Sequence, residues 1–449
     1  MTECNTNRVE LSRVQRRELI ADFAGGRLTS DAGSVLLREV EKKTDLFSRI
    51  DHIVTDPRNP EKITHQQRTL LAQRIMAIAM GYEDLNDHGT LRTDPALQVA
   101  TNLAPEEDQP LGSPSTLSRL ENRITRKELV EMNALLVELF IESHDEAPEE
   151  IILDFDATDD PTHGNQEKSF FHGYYDHYCF LPLYVFCDQQ LLCAYLRPSR
   201  LDGAKHAWPI LSLLVKRFRE VWPEVRIVFR GDSGFCRWKM LNWCEKNDVD
   251  YIVGIGKNAR LKAMSLSWTD AAEKQHLLTS EKQRLFGEIS YAAETWNKER
   301  RVIVKAEHTD KGSNPRFVVT NLKGSPQSLY DDIYCARGEM ENRIKEQQLY
   351  LFADRTSCHE FYANQFRLLL SSFAYVLFEA LRREYLADTP LDRAQVSTIR
   401  QKLLKVAARV VVSVRRIVFH LSSSYPYRSL FSQIAGALLP EKGATMAPG

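Results

Sequence analysis

The spacing of apolar residues along the chain changes character near residue 150. Before that point apolar positions recur at helical spacing. SVLLREVEKKTDLFSRI reads as a helix capped by Thr29 or Ser30. QQRTLLAQRIMAIAMGY places Leu70, Leu71, Ile75, Ile78 and Ala79 on a helical period. SPSTLSRLENRI and KELVEMNALLVELFIES read as two helices joined by a short turn at Thr125. Arg119, Arg123, Arg126 and Lys127 decorate that pair, which is either a helix-turn-helix reader of DNA or a structural hairpin. The acidic, proline-containing stretch from Asp145 to Glu150 is the best linker in the chain.

After it the period falls to two. IILDFDA is a strand with Asp154 and Asp156 on one face. The segment THGNQEKSFFHGYYDHY reads as a loop, and FLPLYVFCD and QLLCAYLRP as a hairpin turning near Gln189. A helix (Lys205 to Glu220), the strand VRIVFR, a helix (Cys236 to Lys246) and the strand DYIVGI follow. The order β-β-β-α-β-α-β predicts an α/β class with a mixed sheet and packed helices. Residues 257–327 interrupt it with strand-like pieces (LFGEISYAAETW, RRVIVKAEH, RFVVTNL) and read as a β-rich insertion. A helix from Tyr334 to about Gln348 comes next, then a long apolar helix, NQFRLLLSSFAYVLFEALRREYL. The division expected is 1–148, a helical N-terminal DNA-binding region; 149–256, the first part of the core; 257–327, the insertion; 328–385, the second part of the core; and 386–449, a helical and basic C-terminal region.

The 449 residues suffice for several domains, and the formal net charge of −2 argues mildly against a nucleic-acid binder. The distribution argues the other way. From Arg393 to Pro440 there are eight Lys or Arg and no acid, which makes Arg415 and Arg416 candidates for phosphate contact. None of the eight cysteines forms a CxxC pair, so neither a zinc knuckle nor a disulfide framework is expected. The polar N-terminus carries no signal peptide and no apolar run is long enough to span a bilayer, so a soluble cytoplasmic protein is expected.

Three acids stand out: Asp156 at the end of the first strand, Asp232 after VRIVFR, and Glu341 on the helix. Together they make an oxygen-rich pocket suited to Mg2+ or Mn2+. Two such ions activate a water or a 3′-hydroxyl for in-line phosphoryl displacement. Tyr334, Arg337, Glu341 and Lys345 fall in one stripe, although a solvated face with i,i+4 ion pairs gives the same pattern. Asp154 competes with Asp156, which is favoured because Ala157 and Thr158 begin the open end. Asp232 is alternatively an N-cap. Asp159 and Asp160 read as loop acids. His163 and His172 are either substrate contacts or structural. Ser233 has no evident base.

These residues resemble the DDE transposases of bacterial insertion sequences, in the branch with a Tyr-Arg-Glu-Lys signature. Tyr334-x2-Arg337-x3-Glu341 carries the match, with DFDATDDPTHG, RGDSGF, NRIKE, GYEDLNDH and LRTDPAL as further blocks over most of the chain. The signature lysine is expected where Gln348 stands, and Lys345 is the candidate substitute. The resemblance implies a ribonuclease H-like core with a β-rich insertion between the second and third acids, and metal-dependent nicking at element ends followed by joining of the 3′-OH to target DNA. It implies two metal ions held by Asp156, Asp232 and Glu341. Phosphates would be held by Tyr334, Arg337 and Lys345. It gives Trp296 as the base-stacking candidate, against a core tryptophan. Its partners are double-stranded DNA, as terminal inverted repeats and target, and a second copy in a synaptic dimer, with no membrane, near a bacterial nucleoid. The other readings are a stand-alone structure-specific nuclease and a catalytically silent DNA-binding protein.

Overall fold

The computed structural model describes residues 8–105 and 109–439. They divide into two compact units. One takes residues 124–349 and 353–372; the other takes the remainder of both chain ends and 350–352. The boundary also falls inside the long helix Phe361–Tyr385, which is mostly buried as its apolar sequence predicts.

The first unit is built on one mixed sheet. Its strands in chain order are Glu150–Ala157, Leu183–Cys187, Gln190–Tyr195, Arg226–Gly231, Asp250–Ile255, Gln283–Tyr291, Arg300–Thr309 and Arg316–Thr320, with the short Gly312–Ser313 paired to the seventh. The spatial order is sixth, seventh, eighth, fifth, fourth, first, second, third. The first, fourth and fifth run parallel; the other neighbours are antiparallel. The predicted β-β-β-α-β-α-β order is thus present, with helices Ala207–Val221 and Trp238–Lys246 in the predicted places.

Period two sorts the strands' residues onto two faces. Leu153, Phe155, Ile227, Phe229, Tyr251 and Val253 face one core, closed by helices that include Val137, Phe140, Leu211, Phe218 and Leu241. Phe155 and Phe229 meet edge to face at 5.2 Å. Each such ring contributes about 2–3 kcal/mol by leaving water. Val228, Ile252, Ile303 and Val318 face the other side, under Leu329 and Tyr330.

Three sequence expectations change here. The strands of 257–327 are real, but helices Ala259–Met264 and Leu266–Thr279 precede them, and the eighth strand pairs with the fifth, so they widen the same sheet. The loop after Asp156 holds a small three-stranded sheet, Asp160–Pro161, Phe170–His172 and His177–Phe180. Helix Arg126–Glu142, capped by Thr125 with Glu128, packs Val137 and Phe140 into the sheet core. This helix, expected in the N-terminal region, thus packs with the sheet unit.

The second unit is mainly helical, but not at its ends. Val9–Val14 and Arg17–Ala21 form an exposed hairpin. In the C-terminal stretch expected to be helical and basic, Ala408–Ser413 pairs with Arg416–Leu421 and with Leu28–Thr29. The run of β-branched residues from Val410 to Val412 favours strand there, with helical stretches on either side at Val396–Ile399, Arg400–Leu404 and Arg428–Leu438. The motif GYEDLNDH is structural. Gly81 ends its helix at φ 94°, Tyr82 donates to Asp31 at 2.5 Å, and buried His88 meets Gln73. Arg74 pairs with Glu121 at 2.8 Å, both buried. No helix among the described residues is long and apolar enough to cross a membrane.

Candidate active site

On the face opposite the main core, three parallel strands grade from apolar to polar. Ile152, Asp154 and Asp156 share that face of the first strand; Val228 and Arg230 that of the fourth; Ile252 and Gly254 that of the fifth. Strand pairing ends with Gly231 beside Phe155. The next residues of these adjacent strands are Asp232 and Asp156, so two carboxylates emerge side by side.

The cover is a helical run over residues 326–350, longer than the sequence predicts and unevenly wound. Leu329–Tyr334 and Glu346–Tyr350 have wide π-type turns, Cys335–Arg337 a tight one, and Gly338–Lys345 is α-helical. Wide turns of this kind rotate the residues beyond them relative to a regular helix. Arg337 and Glu341 nonetheless share a face. The Arg337 guanidinium donates to Asp156 Oδ2 at 3.2 Å and to Glu341 Oε1 at 2.6 Å. One cation therefore links a strand acid to the helix acid.

The two competing strand acids have different surroundings. Asp154 is buried in a forked pair with Arg230, whose third nitrogen donates to the carbonyl of Ile333 at 2.6 Å. Asp156 is only partly covered, and Asp232 and Glu341 both act on its charge. Burial raises its pKa to about 6; Arg337 pulls it down, and Asp232 and Glu341 push it up. Asp232 does cap the short turn after it, through Oδ1 and the Gly234 N–H at 2.8 Å. That leaves Oδ2 available, so the capping and binding readings of Asp232 coexist.

Tyr334 is packed beside the same pocket. Burial raises its phenol pKa, with Arg337 opposing and Asp232 adding. A side chain at Gly254 would place Cβ 2.5 Å from the Tyr334 hydroxyl and 2.9 Å from Ser233 N. The sequence reading missed Gly254; its signal was a glycine inside an otherwise β-branched and aromatic strand. Gly254→Val is expected to push Asp232 and Tyr334 apart and to cost about 1–3 kcal/mol, as overpacking does. Urea unfolding measures it, and a variant as stable as the wild type shows slack at this contact.

Lys345 is exposed and makes no ion pair among the described residues. Gln348, at the position where the lysine was expected, donates to the Asp159 carbonyl at 2.9 Å. Trp296 lies in the connection between the sixth and seventh strands rather than at a strand end. Its partly buried ring meets Tyr291 at 5.6 Å and Arg300 at 5.2 Å, against the main core. Arg415 and Arg416 are exposed at the turn of the C-terminal hairpin, in the other unit. Asp160 is not a loop acid: it is fully buried and accepts from Thr356 at 2.8 Å. Asp159 pairs with His177 at 2.9 Å.

Asp156, Asp232 and Glu341 offer only oxygen, the donor that hard divalent cations take. Among the described residues, no three acidic, histidine or cysteine side chains stand close enough to hold an ion as they are. The Arg337 guanidinium lies between two of them and supplies positive charge there. The donor chemistry fits Mg2+ or Mn2+, provided Arg337 yields its place.

A family model described as transposase DDE domain group 1 matches residues 11–442. Among solved structures, the chain is similar to piggyBac transposase in a synaptic complex with hairpin DNA, at 11% identity over 94% of this chain and 88% of that one, with a TM-score of 0.40. No curated protein matches the sequence.

Proposed function

The chain belongs to the transposase DDE domain family, group 1, and from that premise we propose that it is an insertion-sequence transposase of the Tyr-Arg-Glu-Lys branch. DDE transposases cleave DNA and transfer its strands, generally with divalent metals. Asp156, Asp232 and Glu341 are the three acids of this reading, and the central strands form a ribonuclease H-like core. The observation that carries it is the emergence of Asp156 and Asp232 from adjacent parallel strands, with Arg337 tying Asp156 to Glu341. The raised proton affinity of Asp156 supports it, since excess negative charge that is partly buried is what a bound cation relieves.

The three carboxylates would hold two Mg2+ or Mn2+ ions, which when bound supply the Lewis acidity for attack by water or a 3′-hydroxyl. Arg337, freed from its carboxylates, turns to a phosphate oxygen, for which its planar fork is suited. Tyr334 donates a hydrogen bond beside Asp232. Lys345 is exposed on the same helix and free to meet the DNA backbone. Arg415 and Arg416 add backbone contacts elsewhere on the chain. The substrates are the element's terminal inverted repeats and target DNA, engaged by two copies in a bacterial cytoplasm.

Incubating the protein with pre-cut element ends and a plasmid target tests this reading. Joined product that requires Mg2+ or Mn2+ is expected. Cutting without joining indicates a stand-alone nuclease, and binding without either indicates a silent DNA-binding protein.

A further inference from the structure

The small sheet that follows Asp156 carries a hairpin, Phe170–His172 paired with His177–Phe180, that the three-acid mechanism leaves unused. Its base is fixed. Gln166 donates to the carbonyls of Thr356 and Cys358, Glu167 accepts from Phe361 N–H, and Ser199 donates to the Phe170 carbonyl. Its tip is bare and aromatic. Tyr174 is 85% exposed, Tyr178 60% and Phe171 53%. Phe171 and Tyr178 are cross-strand partners with rings 5.7 Å apart, and Tyr174 stands edge-on to Tyr175 at 5.0 Å.

A soluble surface does not ordinarily concentrate three exposed rings on one anchored turn. The hairpin also adjoins the segment that follows Asp156: His177 meets Asp159, three residues on, at 2.9 Å. Tyr175 packs against His172 at 4.9 Å, and burial and then the charges of Asp159 and Asp156 raise its phenol pKa to about 12. The histidine side of the hairpin is thus held to the chain beyond Asp156, while the rings of Phe171, Tyr174 and Tyr178 remain open.

We propose that this hairpin is a nucleobase platform: Tyr174, Phe171 and Tyr178 stack on unpaired bases of the DNA strand whose phosphate enters at Asp156 and Asp232. Every base has a π-face, so such a platform is tolerant of sequence and contributes through stacking rather than charge. The choice of DNA as the occupant rests on the transposase reading and on continuity with the strand that ends at Asp156. A rigid base with exposed rings pre-organises the surface, so little order is lost when bases settle on it.

The test uses the full chain with a fluorescein-labelled oligothymidylate of about 20 nucleotides and a duplex of the same length. Tyr174→Ala, and separately the pair Phe171→Ala with Tyr178→Ala, are expected to weaken oligothymidylate binding about tenfold per stacked base lost. Duplex binding and the salt slope should stay unchanged, because no phosphate contact is removed. Tyr174→Trp should restore binding, and circular dichroism should show the variants folded. Oligothymidylate affinity within about twofold of wild type in both variants overturns the platform. So does an equal loss on duplex, or a change of oligomeric state in light scattering with affinity unmoved, which marks the rings as a protein interface. If the wild type shows Mg2+-dependent nicking while the rings prove inert, the platform alone fails. If it nicks nothing, the transposase reading fails.

Discussion

Asp232→Asn is expected to abolish nicking and strand transfer in Mg2+ while leaving the protein folded and bound to DNA. The substitution is conservative where structure is concerned. Asparagine keeps an oxygen that accepts from the Gly234 N–H, the bond that Asp232 makes at 2.8 Å to shape the turn after the fourth strand. What it removes is one negative charge beside Asp156 and, on the proposed reading, one oxygen that would hold a cation. Groups that act together in catalysis lose most of their effect when any one is removed, so the fall should be on the order of a thousandfold or more. Binding to DNA without metal should hold or tighten slightly, because a charge that repels phosphate is gone. Cleavage of an end-labelled duplex and a gel shift in EDTA read the two effects separately. Nicking at the wild-type rate means Asp232 is a helix cap and nothing more.

The sheet was legible because its strands carry apolar residues on both faces and are separated by helices of ordinary length. The acids at the ends of the first and fourth strands were legible for the same reason: period two places Asp156 by counting from Ile152. Irregular backbone was not. The pattern from Tyr334 reads as one regular helix at 3.6 residues per turn, but a tight turn at Cys335–Arg337 and wide turns on either side break that winding, and Lys345 is left exposed while Arg337 meets the carboxylates. The small sheet after Asp156 has the sequence of a loop, because its strands are two to four residues long and its order comes from distant anchors such as Thr356 and Phe361. No local propensity records such contacts. In the C-terminal hairpin the arginines dominate the composition, while the valines specify strand. Gly254 had a local signal, but only the approach of Tyr334 explains it.

Asp154 and Asp156 share a strand and a face, yet their replacement should act in opposite directions. Asp154→Ala leaves Arg230 buried without its carboxylate, and breaking a buried pair by removing one partner costs about 3–5 kcal/mol. Arg230 would keep only the Ile333 carbonyl, which cannot balance its charge. Asp156→Asn should instead hold or raise stability in EDTA. The pKa of Asp156 rises from 3.8 to about 6 on folding, so the native state binds the proton more tightly than the unfolded chain does. The ionised group therefore opposes folding at pH 7, by about 3 kcal/mol. As pH falls through 6 the wild type takes up that proton and the penalty fades; below about 4 both states are protonated and the advantage of asparagine is gone. Urea unfolding at pH 7 and pH 4.5 measures the gap at two points. Mg2+ or Mn2+ should then stabilise the wild type more than Asp156→Asn, since a ligand stabilises only the state that binds it. If Asp156→Asn is as damaging as Asp154→Ala, Asp156 is a structural acid like its neighbour. If Asp154→Ala is harmless, Arg230 finds another partner and the strand face is less rigid than its hydrogen bonds imply.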